Sequence, residues 1–150
     1  MRKPLFIGLV TGLAATLVFA GAAQAEDGGR PFTVPLSGAA EVPGPGDPDA
    51  SGTASLRLNP GQGEVCLDID WADVDGTVFA GHIHVGTADV AGPVVVSLFS
   101  GAFAGTDSVS GCVTADRDLI LAIMRDPDNY YVNVHSVPDF PAGAVRGQLG

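Results

Sequence analysis

Basic residues are scarce in this chain. Lysine and arginine together number 7 against 17 acidic residues, which gives a formal net charge of −10 at pH 7. The only lysine is Lys3, and the arginines after position 2 are scattered without forming a cluster. Proteins that bind nucleic acids or anionic lipids carry a basic patch that neutralises phosphate groups. We therefore expect no nucleic-acid partner, and we interpret the acidity as a repulsive surface that keeps the protein soluble.

Long apolar runs are also lacking, apart from one between Leu5 and Ala20. This run follows a basic start and precedes Ala23 and Ala25, whose small side chains suit the two subsites of signal peptidase. The order is typical of a secretory signal peptide over residues 1–25, cleaved after Ala25. A retained membrane anchor is the alternative, but it needs about 20 apolar residues, and this run is shorter. We expect residues 26–150 to be secreted into the periplasm, cell wall or medium, without membrane insertion.

Cysteine occurs only twice, at Cys66 and Cys112, so a single disulfide pairing is available. Export favours that disulfide over the alternative, a metal site built on two thiolates. An oxidised pair leaves no thiolate for a blue-copper centre or for nucleophilic catalysis. The chain also has neither a G-x-S-x-G turn nor a glycine-rich phosphate loop. These absences favour a binding domain over an enzyme.

The exported part does contain many short segments in which apolar and polar residues alternate, as in half-buried β-strands. The turn residues Asn59, Pro60 and Gly61 predict a hairpin between two of them. The apolar run Val94–Val96 is typical of a well-buried strand. The predicted strands span residues 32–36, 53–58, 64–71, 78–85, 93–99, 108–114, 130–134 and 144–149.

Two other segments interrupt this pattern. Residues 42–49 contain three prolines and two glycines and therefore predict a loop. A short helix is predicted from an N-cap at Asp116 until Pro127 stops it. About eight short strands and one helix in a chain of this length predict one all-β domain, an antiparallel sandwich or barrel.

The alternation also predicts where the cysteines point. In residues 64–71, Val65 and Leu67 face inward with Ile69 and Trp71, so Cys66 faces outward. Cys112 faces outward for the same reason. The disulfide should therefore join two strands across the outer face of a sheet and stabilise the fold by roughly 4 kcal/mol in the chain-entropy model.

The three histidines form the most specific candidate site. His82 and His84 are two residues apart on a strand, so their side chains lie on the same face about 7 Å apart. His135 shares a face with Asn133 on another predicted strand. If the two strands are neighbours, the three imidazoles can converge on copper or zinc, the metals that imidazole suits. The alternative is that His82 and His84 hold adjacent loops through hydrogen bonds, without a metal.

An acidic cluster at the end of the third strand is a weaker candidate. Asp68, Asp70, Asp73 and Asp75 are followed by Gly76, which is superficially similar to a calcium loop. The spacing does not match the EF-hand, and no glutamate stands at the twelfth position. We interpret the cluster as a solvated strand end.

Four segments together resemble the CHRD domain, a module of chordin that also occurs singly in exported bacterial proteins. The resemblance covers nearly all of residues 26–150, and the two C-terminal segments are the most specific. Gly44 departs from the family, which commonly has a second proline there. The segments are Leu36–Pro43 (LSGAAEVP), Gly52–Leu56 (GTASL), Gly81–Gly86 (GHIHVG) with Gly92–Val96 (GPVVV), and Tyr130–His135 (YYVNVH) with Phe140–Leu149 (FPAGAVRGQL).

The resemblance implies an immunoglobulin-like or barrel-like β domain in which the histidines and Arg146 are motif positions. The paired histidines, the disulfide and a C-terminal arginine are also similar to copper-zinc superoxide dismutase. Three histidines cannot supply both metal sites of that enzyme, so we infer no dismutase activity. The high alanine, glycine, valine and aspartate content, with one lysine, is typical of a GC-rich bacterial genome.

We therefore expect an exported binding module. The first hypothesis is that it binds a transition metal. The second is a purely structural or protein-binding domain without a metal, and the third is a metalloenzyme. The predicted metal ligands are His82, His84 and His135, and copper and zinc are the candidate ions. Asn133 and Arg146 are predicted to lie behind these ligands or to face a bound anion.

Overall fold

The computed structural model describes residues 28–150 and contains eight strands and one α-helix. The predicted signal peptide and its cleavage site lie outside these residues. The elements are β1 Arg30–Ser37, β2 Ser51–Asn59, β3 Glu64–Ala72, β4 Thr77–Val85, β5 Val94–Ser100, β6 Ser108–Thr114, α1 Arg117–Arg125, β7 Tyr130–Val137 and β8 Val145–Gln148. Short 3-10 turns occupy Gly38–Ala40 and Pro127–Asn129.

All eight strands form one antiparallel sheet in the order β5-β4-β7-β8-β1-β2-β3-β6. The two edge strands, β5 and β6, approach each other, so the sheet curls into a nearly closed barrel. This architecture confirms the prediction of an all-β antiparallel sandwich or barrel with one short helix. It also makes β4 and β7 direct neighbours, which the sequence could not establish.

The barrel interior is filled by the inward residues of the alternating strands. Val65, Leu67, Ile69 and Trp71 of β3 are all buried, as the alternation predicts. Trp71 stacks on Phe99 of β5 with 5.9 Å between ring centres, and this contact links the two halves of the sheet. Burial of these side chains is the main source of stability in such a domain.

Helix α1 packs against strands β2 and β3. Asp116 caps it, since its side chain accepts hydrogen bonds from the backbone N–H groups of Asp118 and Leu119. Ile120 and Ile123 are fully buried against the core. No helix within residues 28–150 is long and apolar enough to cross a membrane.

Cys66 and Cys112 are paired directly across β3 and β6 and form a disulfide. Neither side chain belongs to the apolar core, in keeping with the outward orientation predicted for both. A disulfide of this kind is typical of proteins that fold in a non-reducing compartment.

The prediction of a well-buried strand at Val94–Val96 is wrong. Strand β5 lies at an edge of the sheet, and Val94 is 48% exposed, whereas Val96 is 5% exposed. Only part of the strand is therefore buried, although the three valines are equally apolar. Three consecutive valines indicate a strand, but the position of a strand in the sheet depends on pairings that lie far apart in the chain.

Candidate metal centre

The pairing of β4 with β7 brings the three histidines together. In this pairing His82 lies opposite Asn133, and His84 lies opposite Tyr131. His135 lies opposite Ala80, and it follows Asn133 by two residues on β7, on the same face. Each histidine offers one ring nitrogen, and these three nitrogens lie within 4.8 Å of one another.

The face of the sheet that carries the three histidines is polar but largely buried. His84 and His135 are 8% and 7% exposed, and only His82 remains half-buried. The loops after β4 and β7 contact the rings, so the face opposite the barrel core becomes a second, polar interior. The cluster is thus shielded on most sides and reachable through His82.

His84 is fixed by the loop between β4 and β5. Its Nδ1 lies 2.8 Å from the carbonyl oxygen of Gly92, and a carbonyl can only accept, so Nδ1 carries the proton. The Tyr131 hydroxyl donates to the same oxygen and accepts from the Gly92 N–H. The other ring nitrogen of His84, Nε2, is buried without a hydrogen-bond partner among the described residues.

His135 is fixed in the same way by the loop between β7 and β8. Its Nδ1 lies 3.2 Å from the carbonyl oxygen of Pro141 and must donate to it. Its Nε2 is therefore unprotonated in the neutral ring and lies 3.0 Å from Nδ1 of His82. Under the alternative without a metal, we expected His82 and His84 to hold adjacent loops through hydrogen bonds. In the structure His84 and His135 make such contacts, while His82 contacts His135.

The environment keeps these rings neutral. Burial and, to a smaller extent, the nearby His82 lower the pKa of His135 to about 4. Burial and then the neighbouring His84 also lower the pKa of His82. Neutral imidazoles keep the lone pairs that a metal ion needs, so protons compete weakly with a metal at neutral pH.

The geometry suits one metal ion. Two imidazole nitrogens bound to one metal at 2.0–2.1 Å are about 3.3 to 3.6 Å apart in tetrahedral or trigonal geometry. The 3.0 Å separation of the His82 and His135 nitrogens is close to this value. Metal-binding histidines also typically donate their second N–H to a carbonyl, as His84 and His135 do. The three nitrogens lie within 4.8 Å of one another, so ring rotations would be needed to bring all three to one ion.

Arg146 and Asn133 lie beside the cluster. Strands β4 and β8 flank β7, so Tyr131 lies between His84 and Arg146. The His84 and Tyr131 rings are stacked with 4.8 Å between their centres, and the Arg146 guanidinium carbon lies 3.4 Å from the Tyr131 ring centre. Arg146 is 1% exposed and donates from Nη2 to the carbonyl oxygen of Thr87. Within the described chain, no hydrogen bond joins Arg146 or Asn133 to the histidines.

Sequence reasoning missed Glu41, which is 6% exposed in the same polar interior. Its pKa is raised to about 7, because burial outweighs the opposing effect of the positive charge of Arg146. One indication of its role was present in the sequence, because Glu41 is the single carboxylate of the segment Leu36–Pro43 and has two alanines and a valine as neighbours. The acidic cluster at positions 68–75 is solvent-exposed, as predicted.

The fold and this cluster define a small disulfide-bonded β-barrel with a buried polar site on the outer face of two strands. The family model of the CHRD domain matches residues 32–149, and the chain belongs to this family. No curated protein matches the chain, and no solved structure does.

Proposed function

We propose that this CHRD domain is an exported binding module that holds one transition metal ion, copper or zinc, between His82, His84 and His135. The observation that carries this proposal is the buried Nε2 of His84, which has no hydrogen-bond partner in the described chain. Burying a polar nitrogen without a partner costs about 1–3 kcal/mol. A metal ion shared with two further histidine nitrogens would remove that cost.

Two further features support the proposal. The Nδ1 atoms of His84 and His135 are held by loop carbonyls, which leaves Nε2 of both rings as the metal-binding atom. The disulfide and the predicted signal peptide favour export, where the protein would meet metal ions outside the cytoplasm.

The test is a titration of the tag-free, disulfide-bonded protein with Cu²⁺ and with Zn²⁺, followed by calorimetry. We expect one ion per chain and a loss of affinity of at least about tenfold in His82→Ala and His135→Ala. The double variant Asp68→Asn/Asp70→Asn is the matched control, because it removes exposed carboxylates away from the cluster and should leave affinity unchanged. The proposal would be refuted if Cu²⁺, Zn²⁺ and Cu⁺ all bound more weakly than in the micromolar range, or if the histidine variants did not weaken binding.

The second candidate is a structural or protein-binding domain without a metal. It is favoured by the hydrogen bonds from His84 and His135 to Gly92 and Pro141, since these bonds by themselves hold two loops against the barrel. In that case His135→Ala should lower the free energy of unfolding equally in the presence and absence of metal ions. A metal-dependent difference between wild type and variant would favour the metal site.

A further inference from the structure

The donor set of the cluster is electrically neutral. Among residues 28–150, the group that can hold an ion at this position consists of His82, His84 and His135 and includes no carboxylate. The nearby acid Glu41 packs its carboxylate against the backbone of Gly143. A bound ion would therefore keep its full charge inside the cluster.

A buried positive charge, that of Arg146, lies beside the histidine cluster. Only the Tyr131 ring separates the Arg146 guanidinium from the His84 imidazole. Arg146 is almost fully buried, so its charge is weakly screened by solvent. Within the part of the chain that the structure describes, no carboxylate lies within ion-pair distance of Arg146. The buried Glu41 carboxyl interacts with this charge, but burial holds its pKa at about 7, so Glu41 offsets the charge of Arg146 only in part at neutral pH.

This environment discriminates between ions by charge. The cost of burying an ion grows with the square of its charge, and repulsion by Arg146 grows in proportion to that charge. A divalent ion is therefore penalised much more strongly than a monovalent one. With only three histidines, Zn²⁺ would also need a water molecule as its fourth ligand.

We propose that His82, His84 and His135 form a three-coordinate site that binds copper as Cu⁺ in preference to Zn²⁺. This inference rests on the proposed metal-binding function and names the ion and its oxidation state. The half-buried ring of His82 gives a copper donor or acceptor access to the site, so the ion can be exchanged without unfolding.

The experiment compares the two ions under anaerobic conditions with the tag-free, disulfide-bonded protein. Cu⁺ is supplied as its acetonitrile complex and competed with bathocuproine disulfonate, and Zn²⁺ is competed with a chromogenic chelator. Mass spectrometry verifies that the disulfide is intact, so that thiolates do not contribute. We expect one Cu⁺ per chain, bound at least about a hundredfold more tightly than Zn²⁺. The X-ray absorption edge should show three-coordinate Cu⁺.

A pair of variants tests the electrostatic argument. Arg146→Gln removes the positive charge and should reduce the ratio of the Cu⁺ affinity to the Zn²⁺ affinity. Arg146→Lys keeps the charge and should reduce this ratio less. Circular dichroism establishes that each variant is folded. If Arg146→Gln does not fold, the competition on the wild-type protein still decides the proposal.

The outcomes separate the two proposals. Zn²⁺ binding as tight as Cu⁺ binding, lost in the histidine variants, would overturn the Cu⁺ preference and leave the metal-binding function standing. Cu⁺ binding that survives His82→Ala and His135→Ala would overturn the assignment of the site. If neither ion binds, both proposals fail.

Discussion

His84 and Tyr131 both donate a hydrogen bond to one backbone oxygen, the carbonyl of Gly92. The loop between β4 and β5 therefore sets the orientation of two stacked rings in the polar interior. The close approach of this loop to β4 requires glycine, because a Cβ at position 92 would overlap the Val85 carbonyl oxygen. A single backbone position thus controls which nitrogen of His84 is free.

Gly92→Ala should weaken metal binding without changing any ligand. The added methyl group would push the loop away from Val85 and break the hydrogen bond that holds Nδ1 of His84. Loss of such a supporting contact typically costs about 10- to 100-fold in metal affinity. Metal titration of the folded variant measures the effect.

Gly111→Ala is the matched control for this substitution. Gly111 lies on β6, and a Cβ there meets no atom within 4 Å. This variant should bind metal like the wild type. Equal affinities for Gly92→Ala and Gly111→Ala would show that the Gly92 loop does not orient the site.

Much of this fold could be predicted from local sequence patterns. Alternation placed Val65 and Trp71 in the core and Cys66 outside it, and a single aspartate at position 116 marked the start of the helix. These features depend on side-chain periodicity and capping, which act within a few residues. The two-residue spacing of His82 and His84 likewise fixed their common face.

The rest depended on contacts between distant parts of the chain. The exposure of Val94 follows from the edge position of β5, and the burial of Glu41 and His135 follows from loops that cover the outer face of the sheet. Loop conformation is weakly encoded by periodicity, so the sequence did not show that Asn133, Arg146 and His135 are buried. Their burial changes the expected chemistry, because charge and hydrogen bonding count for more in a shielded site.

Removal of the disulfide should destabilise the barrel without affecting the metal site. Cys66 and Cys112 are separated by 46 residues, and opening a loop of this length costs about 4 kcal/mol in the chain-entropy model. The free energy of unfolding of the Cys66→Ser/Cys112→Ser variant can be measured by urea denaturation. Strands β3 and β6 carry none of the three histidines, so metal affinity of the folded variant should be unchanged. Reduced affinity in the folded variant would show that the two regions are coupled.

The stability of the metal-free protein should depend on the protonation of His135. Its pKa is about 4 in the folded state, against an ordinary value of 6.5. Between these two pH values the unfolded chain binds more protons than the folded chain. The contribution of His135 to the free energy of unfolding is therefore complete above pH 6.5 and is lost as the pH falls to about 4. His135→Gln cannot titrate and serves as the reference. The stability of the wild type relative to this variant should fall in that window, and a constant difference would contradict the shift.

Glu41 should make the stability of the metal-free protein depend on pH in the opposite direction to His135. Its folded-state pKa is about 7 against an ordinary value of 4.5, so the folded protein holds the extra proton between these values. The contribution of Glu41 to the free energy of unfolding is complete below pH 4.5 and is lost as the pH rises through 7. In the wild type this loss offsets the gain from His135 where the two windows overlap, which should flatten the measured pH profile.

Glu41→Gln separates the two effects, since glutamine keeps the size of the side chain and mimics its protonated form. We expect the variant to be more stable than the wild type above pH 7 and nearly equal to it near pH 4.5. Burial outweighs the attraction of Arg146 in raising the pKa of Glu41, so removing the charge should stabilise the fold even though Arg146 loses a nearby anion. Urea denaturation of the metal-free proteins across pH 4–8 measures the difference. A variant that is less stable than the wild type above pH 7 would mean that Glu41 is the effective counter-ion of Arg146, and the site would then be closer to electrically neutral.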